Sequence, residues 1–121
     1  MDFIIDWKES NVIITFLDIL SFDEMYEAKK AIYGDSRYDN MKYQIMDLSN
    51  VHKIQLTKQD ILVLTSLEKS SAIWNDNLKL AIITLDKNFI EMISYYFKIM
   101  RNTNWNLKVF DTIDGAHEWL K

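Results

Sequence analysis

Cysteine is absent from this chain, which rules out disulfides, thiolate metal sites and cysteine nucleophiles. That absence suits a reducing compartment. Proline is missing too, and glycine occurs only at Gly34 and Gly115. Neither GxGxxG nor GxxxxGKS/T can be written with two such distant glycines, so a glycine-rich phosphate loop is excluded. Apolar runs are short: Ile61 to Leu64 is one of the longer ones, and none approaches a membrane span. The first residues lack the basic start and apolar block of a secretory signal. A soluble, cytoplasmic protein is expected. Basic runs are also lacking. The 14 Lys and Arg are scattered among 18 Asp and Glu, for a formal charge of −4. Phosphate neutralisation needs clustered cations, so neither nucleic acid nor membrane is expected as a partner.

What is present is enough for a core. The chain has 121 residues, 49% of them hydrophobic, and no repeat, linker or low-complexity segment. One domain over residues 1–121 is expected. Asparagine takes over the turn positions that glycine and proline leave open, at Asn11, Asn40, Asn50, Asn75, Asn77 and Asn104.

Phe3, Ile5 and Trp7 alternate with Ile4 and Asp6, a strand period. After a turn at Glu9-Ser10-Asn11, Val12 to Leu17 reads as a second strand and completes an antiparallel hairpin. Ser21 with Glu24 forms a capping box and opens a helix from Phe22 to about Tyr33, stopped at Gly34. Its apolar side carries one charge, Lys29. Asp35 to Asn40 reads as a polar loop. Tyr43 to Leu48 is a buried strand running into a polar turn at Asp47, Ser49 and Asn50. Thr57 and Asp60 cap a helix to about Trp74, whose first turns are apolar all round. Leu78 to Leu85 is a strand and the best fit to the sheet centre. A helix from Phe89 to about Arg101, a strand from Leu107 to Phe110 and a helix from Ile113 to Leu120 complete the chain. The last helix places Ile113, Ala116, His117 and Leu120 on one side. The order β-β-α-β-α-β-α-β-α predicts an α/β fold with a mostly parallel sheet and an antiparallel N-terminal edge strand.

The segment Met46-Asp47-Leu48-Ser49-Asn50-Val51 and the ending Val109-Phe110-Asp111-Thr112, with Ala116, Trp119 and Leu120, resemble the STAS family. Leu80 to Leu85 before a helix fits as well. That family covers sulfate-transporter and anti-sigma-factor-antagonist domains. The branch most similar is the sporulation-antagonist-like (SpoIIAA-like) bacterial group placed with lipid-binding CRAL-TRIO domains. The resemblance implies a non-enzymatic regulatory or interaction module. In antagonist members an Asp-Ser-Ser-Gly segment carries a phosphorylated serine. This chain has Gln55-Leu56-Thr57-Lys58 at that place, so only the hydroxyl of Thr57 survives.

Candidate sites follow from placement. In open α/β sheets ligands gather beyond the strand carboxyl ends, where Asp47, Ser49, Thr84, Asp86, Asp111 and Thr112 are expected. Such residues ordinarily cap helices and close turns. Three acids on one rim would also suit magnesium and a metal-assisted enzyme, the third of the functional readings. No catalytic residue, metal or cofactor is assigned. Thr57 is the candidate phosphorylation or partner site, its ordinary role being an N-cap. Asp47, Ser49, His52, Asp86 and Asp111 form the candidate ligand or partner rim. His52 is expected at the surface and His117 packed. Four Trp, six Tyr and six Met fit a core plus an association surface, or else a cavity for a small apolar ligand or lipid. A protein partner or a homodimer is the first expectation, and an apolar-ligand carrier the second.

Overall fold

The computed structural model describes residues 3–121. In β1 (Phe3–Lys8), Phe3, Ile5 and Trp7 are half-buried while Ile4, Asp6 and Lys8 are exposed, as a one-sided strand requires. β2 (Asn11–Ser21) returns antiparallel, with Phe3 opposite Phe16 and Lys8 opposite Asn11. Asn11 begins β2, and its Oδ1 accepts hydrogen bonds from the N–H groups of Lys42 and Tyr43 at 2.8 and 3.1 Å. That side chain ties the hairpin to the start of β3 (Tyr43–Gln55), which runs parallel to β2.

β3 does not stop at Leu48. It continues through Ser49 and Asn50 to Gln55, and β2 is prolonged past Leu17 to match it. Two bulges make this possible. Pairing steps from Thr15–Asp47 to Leu17–Asn50, and from Asp18–Val51 to Ile19–Lys53, with β3 carrying the extra residue each time. Asp18 takes φ 55° at the second. Asp47, Ser49 and Asn50 thus belong to a strand rather than a turn. Polar residues are tolerated there because β4 (Lys79–Ile83) ends opposite Asp47, leaving β3 paired with β2 alone beyond that point.

α1 (Phe22–Tyr33) is capped by Ser21, whose Oγ accepts from the N–H of Glu24 at 3.4 Å. It ends at Gly34 with φ −86°, so the stop is not left-handed. The missing Cβ matters for another reason: it would lie 3.1 Å from the carbonyl oxygen of Lys30. The expected loop at Asp35–Asn40 contains a 3-10 turn over Ser36–Asn40. Arg37 donates to Asp35 through its backbone and guanidinium N–H groups and holds that carboxyl at about 2. α2 (Lys58–Trp74), α3 (Lys87–Met100), β5 (Asn106–Phe110) and α4 (Ile113–Leu120) complete the chain.

The five strands lie in the order β1-β2-β3-β4-β5, with only β1 antiparallel to its neighbour. β3 therefore holds the centre, and the strand expected there, β4, lies one place away. Helices α1, α2 and α3 pack over Val12, Ile14, Phe16, Met46, Leu48, Leu80 and Ile82. α4 covers the opposite face, where Ala116 meets Ile45, Ala81 and Ile83. His117 is exposed rather than packed, because the inward positions of this short helix go to Ala116, Ile113, Trp119 and Leu120. At the strand-start end Asn75 is buried. Its Nδ2 donates to the carbonyls of Tyr38 and Met41, and its own carbonyl accepts from Trp105 Nε1 at 2.6 Å. Among the described residues no helix is long and apolar enough to cross a membrane.

Candidate functional site

The strand carboxyl ends meet in a recess of about 130 Å³ lined by Leu48, Ser49, Val51, His52, Ile54, Ile83, Thr84, Leu85, Asp86 and Asp111. Four expected rim residues, Ser49, His52, Asp86 and Asp111, share it. Asp47 lies outside that lining. It is half-buried on β3 and accepts from the N–H and Oγ–H of Ser49 at 3.0 and 2.6 Å. Asp86 is the N-cap of α3, accepting from the N–H of Phe89 at 2.9 Å. Thr112 caps α4 by accepting from the N–H of Gly115. Asp47, Ser49, Asp86 and Thr112 are thus engaged in local backbone and side-chain bonds at the β3 bulge and the helix starts. Among the described residues no group of three or more His, Cys, Asp or Glu could hold a metal ion, so Asp47, Asp86 and Asp111 do not form the magnesium site considered from the sequence.

Thr57 stands apart from this recess. It is exposed and forms a complete capping box at the start of α2. Its Oγ1 accepts from the N–H of Asp60 at 3.1 Å, and Asp60 Oδ2 accepts from the N–H of Thr57 at 2.9 Å. The hydroxyl faces solvent beside free helix N–H groups, where added negative charge is electrostatically favoured.

The apolar run that opens α2 divides between two sides. Ile61 and Leu64 are buried, whereas Leu62 and Val63 are about 45% exposed. Across from them on α3, Tyr95 is half exposed and Ile90 partly so. A groove of about 160 Å³ runs between the two helices, lined by Lys58, Ile61, Leu62, Met92 and Tyr95. Lys58 and Lys98 flank the Tyr95 ring, with Nζ 5.1 and 5.7 Å from its centroid. A second apolar exposure, Ile73 and Trp74, sits at the far end of α2.

Beneath these helices lies a polar cluster that the sequence reading did not anticipate. Lys29 of α1 and Glu68 of α2 pair at 2.8 Å, both almost fully buried. Lys29 also donates to Gln44 Oε1, Tyr33 Oη–H donates to Glu68, and Gln44 Nε2 donates to Tyr33 Oη at 3.2 Å. Burial lowers the Lys29 pKa, and Glu68 partly restores it. Burial, then the Glu68 charge, raises the Tyr33 and Tyr96 pKa values well above the usual tyrosine range. Among the described residues the Tyr96 hydroxyl has no hydrogen-bond partner, and it lines a cavity of about 40 Å³ with Lys29 and Glu68. One signal was available: Lys29 is the single charge in an apolar stripe, and Glu68 continues the inward spacing Ile61-Leu64-Thr65.

No protein-family model matches the sequence, and a comparison with curated proteins gave no match. Solved structures do match. The anti-sigma factor antagonist SpoIIAA in its unphosphorylated form aligns with a TM-score of 0.63 at 6% identity, over 98% of this chain and 96% of that one. An anti-sigma factor antagonist from Mycobacterium paratuberculosis aligns with a TM-score of 0.62 at 11% identity, over 98% and 92%. An uncharacterised protein of the DUF3478 family with a SpoIIAA-like fold, from Shewanella loihica, gives a TM-score of 0.53 at 14% identity, again over 98% and 92%. With the strand order and the single antiparallel edge described above, these alignments show that the chain has the SpoIIAA-like α/β fold.

Proposed function

We propose that this chain is a non-enzymatic regulatory module of the STAS type, acting in the cytoplasm by binding a protein partner or a second copy of itself. The observation that carries the reading is the apolar surface left uncovered on α2 and α3, at Leu62, Val63 and Tyr95. Contiguous exposed apolar surface of this kind marks interaction sites. Two of the matched structures are described as anti-sigma factor antagonists, which supports a protein as the partner. Thr57 and the rim residues Ser49, His52, Asp86 and Asp111 are proposed as secondary contact points, with Thr57 open to phosphorylation. The apolar-ligand carrier gains less support, since the cavity beneath the three helices holds about 40 Å³, far below the roughly 300–1,000 Å³ of small-molecule sites.

Size-exclusion chromatography with light scattering, paired with affinity capture from source cells, tests the proposal. A dimer, or a protein captured by the wild type and lost on Leu62→Ser with Tyr95→Ala, is the expected result. A strict monomer that captures nothing overturns it. Intact-mass measurement after incubation with kinases tests Thr57 separately, and an unmodified chain removes that site.

A further inference from the structure

The exposed charges of α2 and α3 are unlike those of the chain as a whole. The full sequence is acidic, with a formal charge of −4. On these two helices the exposed charged residues are Lys58, Lys69, Lys87 and Lys98 against Glu91 alone. Of the acids of α2, Glu68 is buried against Lys29, while Asp60 is bonded to backbone in the capping box and keeps its charge, as does the exposed N-cap Asp86 of α3. Four lysines thus stand against three carboxylates, a slight cationic excess on an anionic protein. The apolar groove is lined by Lys58, and both Lys58 and Lys98 lie near the Tyr95 ring.

Building on the protein-binding reading above, we propose that the groove between α2 and α3 receives an acidic amphipathic segment of the partner protein. One large apolar side chain seats among Leu62, Met92 and Tyr95, which matches the groove's volume of about 160 Å³. Carboxylates flanking that anchor pair with Lys58 and Lys98. Helix-in-groove recognition works this way, with apolar anchors supplying affinity and flanking charge supplying orientation and selectivity. The charge separation decides against other occupants. A second copy carries the same lysines on the same face, so a two-fold pairing of this surface sets lysine against lysine, and a dimer would form through other exposed apolar residues such as Ile73 and Trp74. An anionic bilayer would attract the lysines but repel the remainder of a chain that is net negative. A concave groove also suits a protruding side chain better than a plane.

The test uses a labelled helical peptide with Leu and Phe at spacings of three and four and Glu at the flanking positions. A control peptide has every Glu replaced by Lys, and vesicles of phosphatidylserine provide the bilayer comparison. Binding is followed by fluorescence anisotropy at low and high salt. Wild-type protein is expected to bind the acidic peptide at least tenfold more tightly than the basic one, and more weakly as salt rises. The Lys58→Glu, Lys98→Glu double variant is expected to reverse the preference, and Leu62→Ser to weaken binding to both. Circular dichroism checks that the variants fold. If the double variant does not, Lys58→Glu alone is used, since an acid in the first turn of a helix is well tolerated. Equal binding of the two peptides, indifference to the charge reversal, or binding to vesicles in preference to peptide would overturn the proposal. A partner captured in the earlier experiment that footprints on another surface would overturn this groove assignment while leaving the interaction-module reading intact.

Discussion

Lysines serve opposite purposes on the two sides of the helical layer. Inside, Lys29 is buried against Glu68 and Gln44. Outside, Lys58 and Lys98 lie over Tyr95 in open solvent beside uncovered apolar surface. The inner charge costs desolvation and is tolerated because its partners are fixed by three separate elements, α1, α2 and β3. The outer charges cost little and remain available. Changes on the inside should therefore alter stability and leave recognition alone, and changes on the outside should do the reverse.

The largest expected effect comes from breaking the inner pair. Glu68→Ala strands Lys29 in the core and should cost about 3–5 kcal/mol in denaturant unfolding. The apolar replacement of both, Lys29→Met with Glu68→Leu, should recover most of that loss. If Glu68→Ala were as benign as a surface change, the inner cluster would not be structural.

Alkaline titration sharpens the contrast next. Burial first, then the charge of Glu68, holds the pKa values of Tyr33, Tyr38 and Tyr96 above the ordinary 10.0. Above pH 10 the unfolded chain releases tyrosine protons that the folded chain keeps, so stability is fully present below pH 10 and falls as pH rises through the folded values. Lys29, lowered from 10.5, acts in the opposite sense, because just below 10.5 the unfolded chain holds its proton more firmly. Three tyrosines against one lysine leave a net decline. Tyr96→Phe should flatten it by up to about 1.4 kcal/mol per pH unit, one proton's worth, as read from unfolding curves at pH 9 to 11. An unchanged slope would place Tyr96 outside the cluster.

At the boundary between the two sides, Thr57→Ala should cost about 1 kcal/mol through the lost cap, and Thr57→Ser should retain most of it. Smallest of all, Leu62→Ser and Lys98→Gln on the outer surface should each change unfolding by less than about 0.5 kcal/mol. A larger loss would mean that this face is part of the core.

The sequence made the fold legible because its signals were local. Ser21 and Thr57 mark helix starts that the structure reproduces, and Ile113, Ala116 and Leu120 mark the inner face of α4, from which His117 is excluded. It misled where pairing overrides propensity. Ser49 and Asn50 look like a turn, yet bulges against β2 carry the strand through them. Asn75 likewise looks like a surface break but is a buried knot between Tyr38, Met41 and Trp105. Ser49, His52, Asp86 and Asp111 line one recess, but Ser49 and His52 reach it from within the prolonged β3 rather than from beyond its end. The Lys29–Glu68 pair was not seen, because its partners stand 39 residues apart and only the packing of α1 against α2 brings them together. The outward split of Leu62 and Val63 from Ile61 and Leu64 was implied by surplus apolar surface, but its cationic border needed the burial of Glu68 to be known.

The most direct test is a heteronuclear NMR titration of the labelled protein with the acidic amphipathic peptide. The account predicts shifts concentrated at Lys58, Leu62, Met92, Tyr95 and Lys98, with Ser49, His52 and Asp111 on the rim unmoved. Shifts gathered on the rim, with the α2–α3 groove silent, would contradict it.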